Sequence, residues 1–373
     1  MTKNVLISGA GIAGPALALA LGRHGFGVTV VEVAPHLRTS GFAVDFRGPT
    51  HLGVLERLGV LDELRELQTH GSAMSVVDEA GREIFRLPPE FTGGELEVLR
   101  SDLSATLMRH SAPTTEYLFG DAITGLTETP DGVHVEFRHA AARTFDIVVG
   151  ADGMHSAVRR LRFGPEQDFV KHLDYYIAGW AVPTTSTDAQ HYGVPGKLAS
   201  VGAGNAMIVF AAPELPVDLH DLAQQKDLIS SVYHGLGWRV PEMLAALRDA
   251  PEIYFDSISR VSAPAWTTNR VALLGDAAWG VTLGGMGVGT GLVGAYVLAG
   301  ELAGGRPLSA YEAHMRPYAG RWQKHAHPGR FLAPRTRHGL WLRNRLFSTA
   351  LVRKSLLLST DSFAKDPALP TYA

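Results

Sequence analysis

The sequence predicts an α/β fold: a Rossmann-like nucleotide-binding domain, an inserted and mainly antiparallel β-sheet domain, and helices at the C-terminus. Three observations carry this. Residues 4–8 are a short apolar run entering Gly9-Ala10-Gly11-Ile12-Ala13-Gly14, then an alanine- and leucine-rich helix ending near His24-Gly25, then a second apolar run that stops at Glu32. Much later, residues 270–274 read as another buried, parallel-type strand entering Gly275-Asp276, ahead of a glycine-rich turn and a small-residue helix. Between them, residues 163–261 alternate strand-like runs with Gly/Pro loops. The first pattern is a βαβ unit and the last an antiparallel sheet.

In the first turn each residue type has a task. Gly9 makes the tight turn, Gly11 lets backbone approach a pyrophosphate, and Gly14 lets the helix pack close to the sheet. Ala13 belongs to the same turn, and Pro15 stands in the first helical turn, where its missing N–H costs little. A pyrophosphate would sit at this helix N-terminus, where free N–H groups and the dipole favour an anion. Glu32, eighteen residues past Gly14, is placed to accept hydrogen bonds from a ribose hydroxyl. The alternative is a purely structural turn, and the pattern does not say which dinucleotide binds.

Residues 33–40 form a polar loop carrying Arg38, and residues 41–46 a short strand carrying Asp45. Leucines at helical spacing over residues 52–67 predict a helix broken at Gly59. Residues 74–87 have a hairpin pattern around Asp78-Glu79-Ala80-Gly81. After Arg100 a helix is expected from about Asp102 to His110, capped by Ser101 or Asp102. Residues 122–149 look like a meander turning at Pro130-Asp131-Gly132; it ends at Asp152-Gly153 before a helix holding Arg159 and Arg160. One helix is expected in the inserted lobe, over about 217–235. The resulting division is 1–70, 98–162 and 265–310 for the nucleotide domain, 71–97 and 163–264 for the β-sheet domain, and 311–373 for the C-terminal helices.

Composition excludes several functions. The 373 residues are 46% hydrophobic and 19% charged with a formal charge of −3, which gives no reason to expect nucleic acid. No cysteine is present, so disulfides, thiolate catalysis and Cys-ligated metals are ruled out. The first strand starts at about residue 4, leaving no room for a signal peptide, and no apolar run reaches the roughly 18–20 residues of a membrane span. A cytoplasmic location is the expectation. From Tyr311 the tail carries eleven Lys/Arg against three Asp/Glu, with aromatic and leucine residues at helical spacing. We read it as helices capping the two lobes; a helix lying on a membrane surface is the alternative.

The first glycine turn, Asp152-Gly153 and Gly275-Asp276 through Leu292 occur in an order that resembles the single-component FAD aromatic hydroxylases, the para-hydroxybenzoate hydroxylase-like group. Within it the chain looks most similar to tetracycline-inactivating and polyketide-tailoring monooxygenases. The resemblance implies FAD as cofactor, NADPH or NADH as electron donor, and hydroxylation of an aromatic or polycyclic small molecule through a flavin C4a-hydroperoxide. It implies that Glu32 holds the adenosine ribose and that Arg38 serves the nicotinamide cofactor. Asp45 would contact the flavin, Arg100 its phosphate and ribityl side, and Asp152 would lie near the cofactor groove. Gly275 and Asp276 would bind the ribityl or pyrophosphate region. The turn containing Gly285, Gly287, Val288 and Gly289 would present backbone N–H groups to the pyrimidine edge, where reduced flavin carries negative charge.

The family usually has arginine after the acid of the second strand, where this chain has Val33, and prolines where it has Trp279-Gly280-Val281-Thr282-Leu283. The missing proline motivates a second reading, a flavin oxidase or dehydrogenase that inserts no oxygen. A third is an FAD-containing protein that sequesters a drug-like ligand. No side-chain nucleophile or base is identified; His172, His191 and His234 are read as structural or surface residues. Tyr175, Tyr176, Trp180, Tyr192, Met207 and Phe210 are candidate substrate-pocket residues because alternate strand positions must face the flavin, with core packing as the equal alternative. Monomer and homodimer are both compatible with the C-terminal helices.

Overall fold

The structure is a computed structural model that describes residues 3–37, 43–71, 73–89, 94–184, 188–218, 221–283, 287–323, 327–349, 352 and 369–372. Arg38 and Gly285 lie outside the described residues. The chain opens with β1 (Asn4–Ser8), α1 (Ala13–Arg23), β2 (Gly27–Glu32) and β3 (Ala43–Phe46). Helices α2 (Gly48–Arg57) and α3 (Leu61–Glu66) follow, separated near Gly59 as the leucine pattern predicts. Next come β4 (Met74–Val77), β5 (Glu83–Leu87), β6 (Leu96–Leu99) and α4 (Arg100–Ser111). Helix α4 starts earlier than expected: its N-cap is Leu99, with no side-chain cap, so neither Ser101 nor Asp102 has that task.

Strands β7 (Thr115–Phe119), β8 (Ile123–Thr129), β9 (Gly132–Phe137), β10 (Arg143–Phe145) and β11 (Ile147–Gly150) lead to α5 (Ala157–Arg162). The second lobe contributes β12 (Val170–Ala181), β13 (Ala189–Val194), β14 (Lys197–Gly202), β15 (Asn205–Ala211), α6 (Leu222–Tyr233), α7 (Val240–Asp249) and β16 (Tyr254–Val261). Helix α7 was not expected from the sequence. Pro241 near its start and apolar Val240, Met243 and Leu247, all buried, explain it. The chain returns through β17 (Val271–Leu273), α8 (Asp276–Trp279) and α9 (Gly287–Ala303). It continues into α10 (Leu308–Gln323), α11 (Pro328–Leu332) and α12 (Arg337–Phe347).

Five strands in the order β17-β11-β1-β2-β7 form one parallel sheet. Val5, Leu6, Ile7, Val148, Val149 and Val271 are all fully buried, as strands covered on both faces require. The expected meander is β8–β10, a separate antiparallel sheet, and β11 leaves it to join the parallel one.

The second sheet has seven strands in the order β16-β12-β15-β14-β13-β4-β5. Its hairpin β4–β5 turns at residues 78–82, where Asp78 accepts from the N–H groups of Ala80 and Arg82. On one face Tyr176, Trp180, Tyr192 and Phe210 pack with Ile229 and Tyr233 of α6 and Met243 and Leu247 of α7. On the other face Tyr175, Ile177, Leu198 and Val209 pack with Leu332 and Ala333, and Phe347 of α12 meets Val76 and Phe85. The expected capping role of the tail is thus found for α11 and α12. No helix of the described residues is long and apolar enough to cross a membrane.

Candidate functional site

The site is built where the two glycine-rich turns meet. Gly9 has φ +105°, and its N–H donates to Val31 O at 2.7 Å. A Cβ at Gly9 would lie 2.5 Å from Ala151 O, and one at Gly14 would lie 1.9 Å from Gly9 O. Both glycines are therefore demanded by close approach, whereas Gly11 faces open space, as a ligand cradle requires. Helix α1 has no side-chain cap and no acid in its first turn, so the helix itself supplies no group that competes with an anion there.

Helix α9 packs across α1 through small residues. A Cβ on Gly291 would meet Ala13 Cβ at 3.6 Å, and one on Gly275 would meet the same atom at 3.4 Å. The two helix starts therefore lie side by side, with Asp276 between them: its Oδ1 would be 3.5 Å from a Cβ on Gly287. Burial pushes the Asp276 carboxyl above its usual range, the Arg100 charge pulls it down, and the Asp256 charge pushes it up. Arg100 itself is exposed at the start of α4. Asp276, Arg100, Gly287 and Ala13 are thus neighbours in space although distant in sequence.

Other residues singled out in the sequence are tied into the fold around this point. Both Glu32 oxygens accept backbone bonds, from Ala10 N at 2.8 Å and Ala34 N at 2.9 Å, which strap the end of β2 to the glycine turn. Asp45 pairs with Arg47 at 2.7 Å. Asp152 accepts from Ser8 Oγ at 3.2 Å, from the Ser156 hydroxyl, and from Ala157 N and Val158 N at 2.8 and 3.1 Å. Asp152 therefore lies beside the first turn, while its carboxylate anchors the start of α5.

The segment without proline has a physical explanation. Thr282 N–H donates to Ser259 O at 3.0 Å, a bond proline could not make, and its Oγ1 donates to Ser257 O at 3.1 Å. With Val261 N donating to Gly280 O at 2.8 Å, the segment is laced to β16.

Two histidines not selected from the sequence stand at the site. His51, on α2, is 1% exposed; its Nε2 lies 3.1 Å from Tyr318 Oη, and its Nδ1 has no partner among the described residues. The ring lies against Gly289, where a Cβ would come within 2.5 Å of Cε1 and 2.7 Å of Nδ1. Thr290 Oγ1, buried one residue further along α9, also has no partner among the described residues. Open space over Gly11, paired helix starts and buried unpartnered polar atoms fit a dinucleotide.

His155, just after Asp152-Gly153, bridges Glu166 Oε1 at 2.7 Å and Asp256 Oδ1 of β16 at 3.1 Å. These two hydrogen bonds raise its pKa from 6.5 to about 9. A folded-state pKa above the unfolded one means that this bridge stabilises the fold fully below about pH 6.5 and is lost as pH rises through about 9. The melting temperature should therefore fall by a few degrees from pH 7 to pH 10, and His155→Gln should flatten that slope. Parallel pH profiles for wild type and variant would contradict the bridge. No sequence signal could reveal it, because Asp256 is 101 residues away.

The six substrate candidates divide between two faces. Tyr176, Trp180, Tyr192 and Phe210 belong to the core beneath α6 and α7; Trp180 Nε1 donates to Met243 O at 3.0 Å, and Tyr176 Oη accepts from Leu215 N at 2.8 Å. Met207 is on the opposite face with Tyr175 and Ile177. That face also carries Asp256, opposite Ile177, so it is the face whose residues reach the nucleotide-binding lobe.

Fold and site together are those of a dinucleotide-binding protein with a parallel nucleotide sheet and a second, mainly antiparallel one in which only β13 and β4 run parallel. Residues 2–186 match the FAD binding domain family. An uncharacterized protein of Mycobacterium tuberculosis is 42% identical over 316 residues, covering 80% of this chain and 85% of that protein. A flavin-dependent monooxygenase from an unknown prokaryotic organism is 34% identical over 320 residues, covering 81% of each. Among solved structures, the tetracycline destructase Tet(55) superposes with a TM-score of 0.82 at 30% identity, covering 100% of this chain and 99% of that one. The chain belongs to the FAD-dependent monooxygenases of the aromatic-hydroxylase type and is an enzyme of that kind.

Proposed function

We propose that this enzyme takes electrons from NADPH or NADH and hydroxylates an aromatic or polycyclic, polyketide-like small molecule. The observation that carries this is the meeting of α1, α9 and Gly275-Asp276 opposite the sheet face that bears Asp256 and Met207. Likeness to a tetracycline destructase supports a polycyclic substrate.

In this reading the α1 N-terminus and Gly11 hold the pyrophosphate, and Glu32 adds a ribose hydroxyl to the two backbone bonds it already accepts. Asp276 and Arg100 flank the ribityl chain, Asp45 lies by the flavin, and the backbone of Gly287, Val288 and Gly289 receives the pyrimidine edge. Asp152 acts indirectly, by fixing the loop beside Gly9. Bound FAD would supply reduction by nicotinamide and oxygen activation at its C4a carbon. The chain binds and orients the ring, and the laced segment at residues 280–282 helps to exclude water. Substrate would lie on the sheet face that carries Gly179, Met207 and Ser200, paired across β12, β15 and β14, rather than on the aromatic face under α6 and α7. The division between nucleotide and substrate lobes belongs to the same proposal.

The test is the absorbance spectrum of purified protein, followed by NADPH consumption with a panel of polycyclic phenols. Flavin bands, NADPH oxidation stimulated by one compound and a product heavier by one oxygen atom are expected. A flavin-loaded protein that neither NADPH nor NADH reduces would replace this reading with an oxidase or a ligand-sequestering protein.

A further inference from the structure

We propose that His51 is a cofactor-binding residue whose Nδ1 hydrogen-bonds the pyrimidine edge of the flavin at the N-terminal turn of α9. It rests on the reading above that Gly287–Gly289 receives that edge.

Three independent features point there. First, the ring is fixed: it stands between Tyr318, bonded to Nε2, and Phe46, edge-on at 6.4 Å. Second, it fills the space that any side chain at position 289 would need, so the missing Cβ of Gly289 and the histidine are one arrangement. Third, the nitrogen left over is buried and has no partner among the described residues. Leaving a buried nitrogen unsatisfied is costly, so a protein that keeps one at a ligand-binding helix start has a use for it.

The ring is also electrically suited to this. Burial lowers the His51 pKa to about 4, outweighing the opposing pull of Asp45, so the imidazole is neutral at pH 7. A neutral imidazole has one donor and one acceptor nitrogen. The bond to Tyr318 selects which role falls to Nδ1, and the flavin edge offers both an N–H and carbonyl oxygens.

Two substitutions separate this role from mere packing. In His51→Asn the amide stands roughly where Nδ1 was, and the reach to Tyr318 is lost. In His51→Gln the amide stands roughly where Nε2 was, so the Tyr318 bond survives and the Nδ1 function is lost. FAD titrations by flavin fluorescence should give about tenfold weaker binding for His51→Gln, with a shifted visible band, and at most about threefold weaker binding for His51→Asn. If His51 only packs, the order reverses, because the glutamine keeps its anchor and the asparagine leaves a gap; that order overturns the proposal. Should either variant fail to fold, the wild-type protein decides. In ¹⁵N-histidine-labelled protein, the Nδ1 resonance of His51 should move on adding FAD, and an unmoved resonance overturns the assignment. Wild type that takes up no FAD overturns the site reading itself. Wild type that binds FAD, with His51→Gln indistinguishable from it, overturns only the role of His51.

Discussion

Gly14→Ala is expected to abolish FAD retention and to lower the stability of the whole chain by about 3 kcal/mol or more. The alanine methyl would lie 1.9 Å from Gly9 O and 3.4 Å from Ile7 Cγ2. Neither neighbour can give way cheaply. Gly9 is held by its bond to Val31 and by close contact with Ala151, and Ile7 is fully buried in the central strand. Relief requires α1 to move off the sheet, which carries its N-terminus away from the proposed pyrophosphate position and away from α9. Gel filtration after FAD loading, with a urea denaturation curve, checks both effects. A yellow variant with an unchanged midpoint would show that the helix start tolerates displacement. Gly11→Ala is the contrast: with nothing within 4 Å, it should fold normally and lose affinity only for the cofactor.

Arg159→Ala should cost about 3–5 kcal/mol, the range for removing one partner from a buried charged network. Arg159 is fully buried; it donates through Nη1 to Ala277 O at 2.9 Å and through Nη2 to Met154 O at 2.6 Å, with Glu166 3.9 Å away. It therefore cross-links the loop after β11 to α8, two segments that flank the proposed cofactor site. Alanine leaves two buried carbonyl oxygens without a donor and opens a large cavity. Arg159→Lys, with one donor group in place of the fork, should fall between the two. The measurement is the urea midpoint. An alanine variant within about 0.5 kcal/mol of wild type would mean that the loop and α8 are held by other contacts.

Much of the nucleotide half was legible in the sequence because its signals are local. A glycine turn, an apolar strand and an acid at a strand end are imposed by backbone sterics within some thirty residues, so Gly9, Gly14 and Glu32 were readable in order. Gly275-Asp276 and the small-residue helix were readable for the same reason. The inserted lobe was less so. Alternation along β12 and β15 separates Tyr176, Trp180 and Phe210 from Ile177 and Met207, but alternation alone assigns neither set to the interior. The choice was made by α6 and α7, which cover the aromatic face, and α7 itself went unrecognised. In the sequence Arg159 is legible only as a helix residue. Its role depends on a carbonyl 118 positions away.

The sequence by itself determined a dinucleotide-binding α/β chain with a mainly antiparallel lobe, because helix and strand periods and glycine turns are properties of neighbouring residues. Only the tertiary structure decided which face of the seven-stranded sheet carries Asp256 toward the nucleotide lobe. It likewise decided that His155 joins the lobes and that His51 lies against Gly289. Such contacts arise when elements far apart in the chain pack together, and the burial that gives those groups their character does not exist until they do.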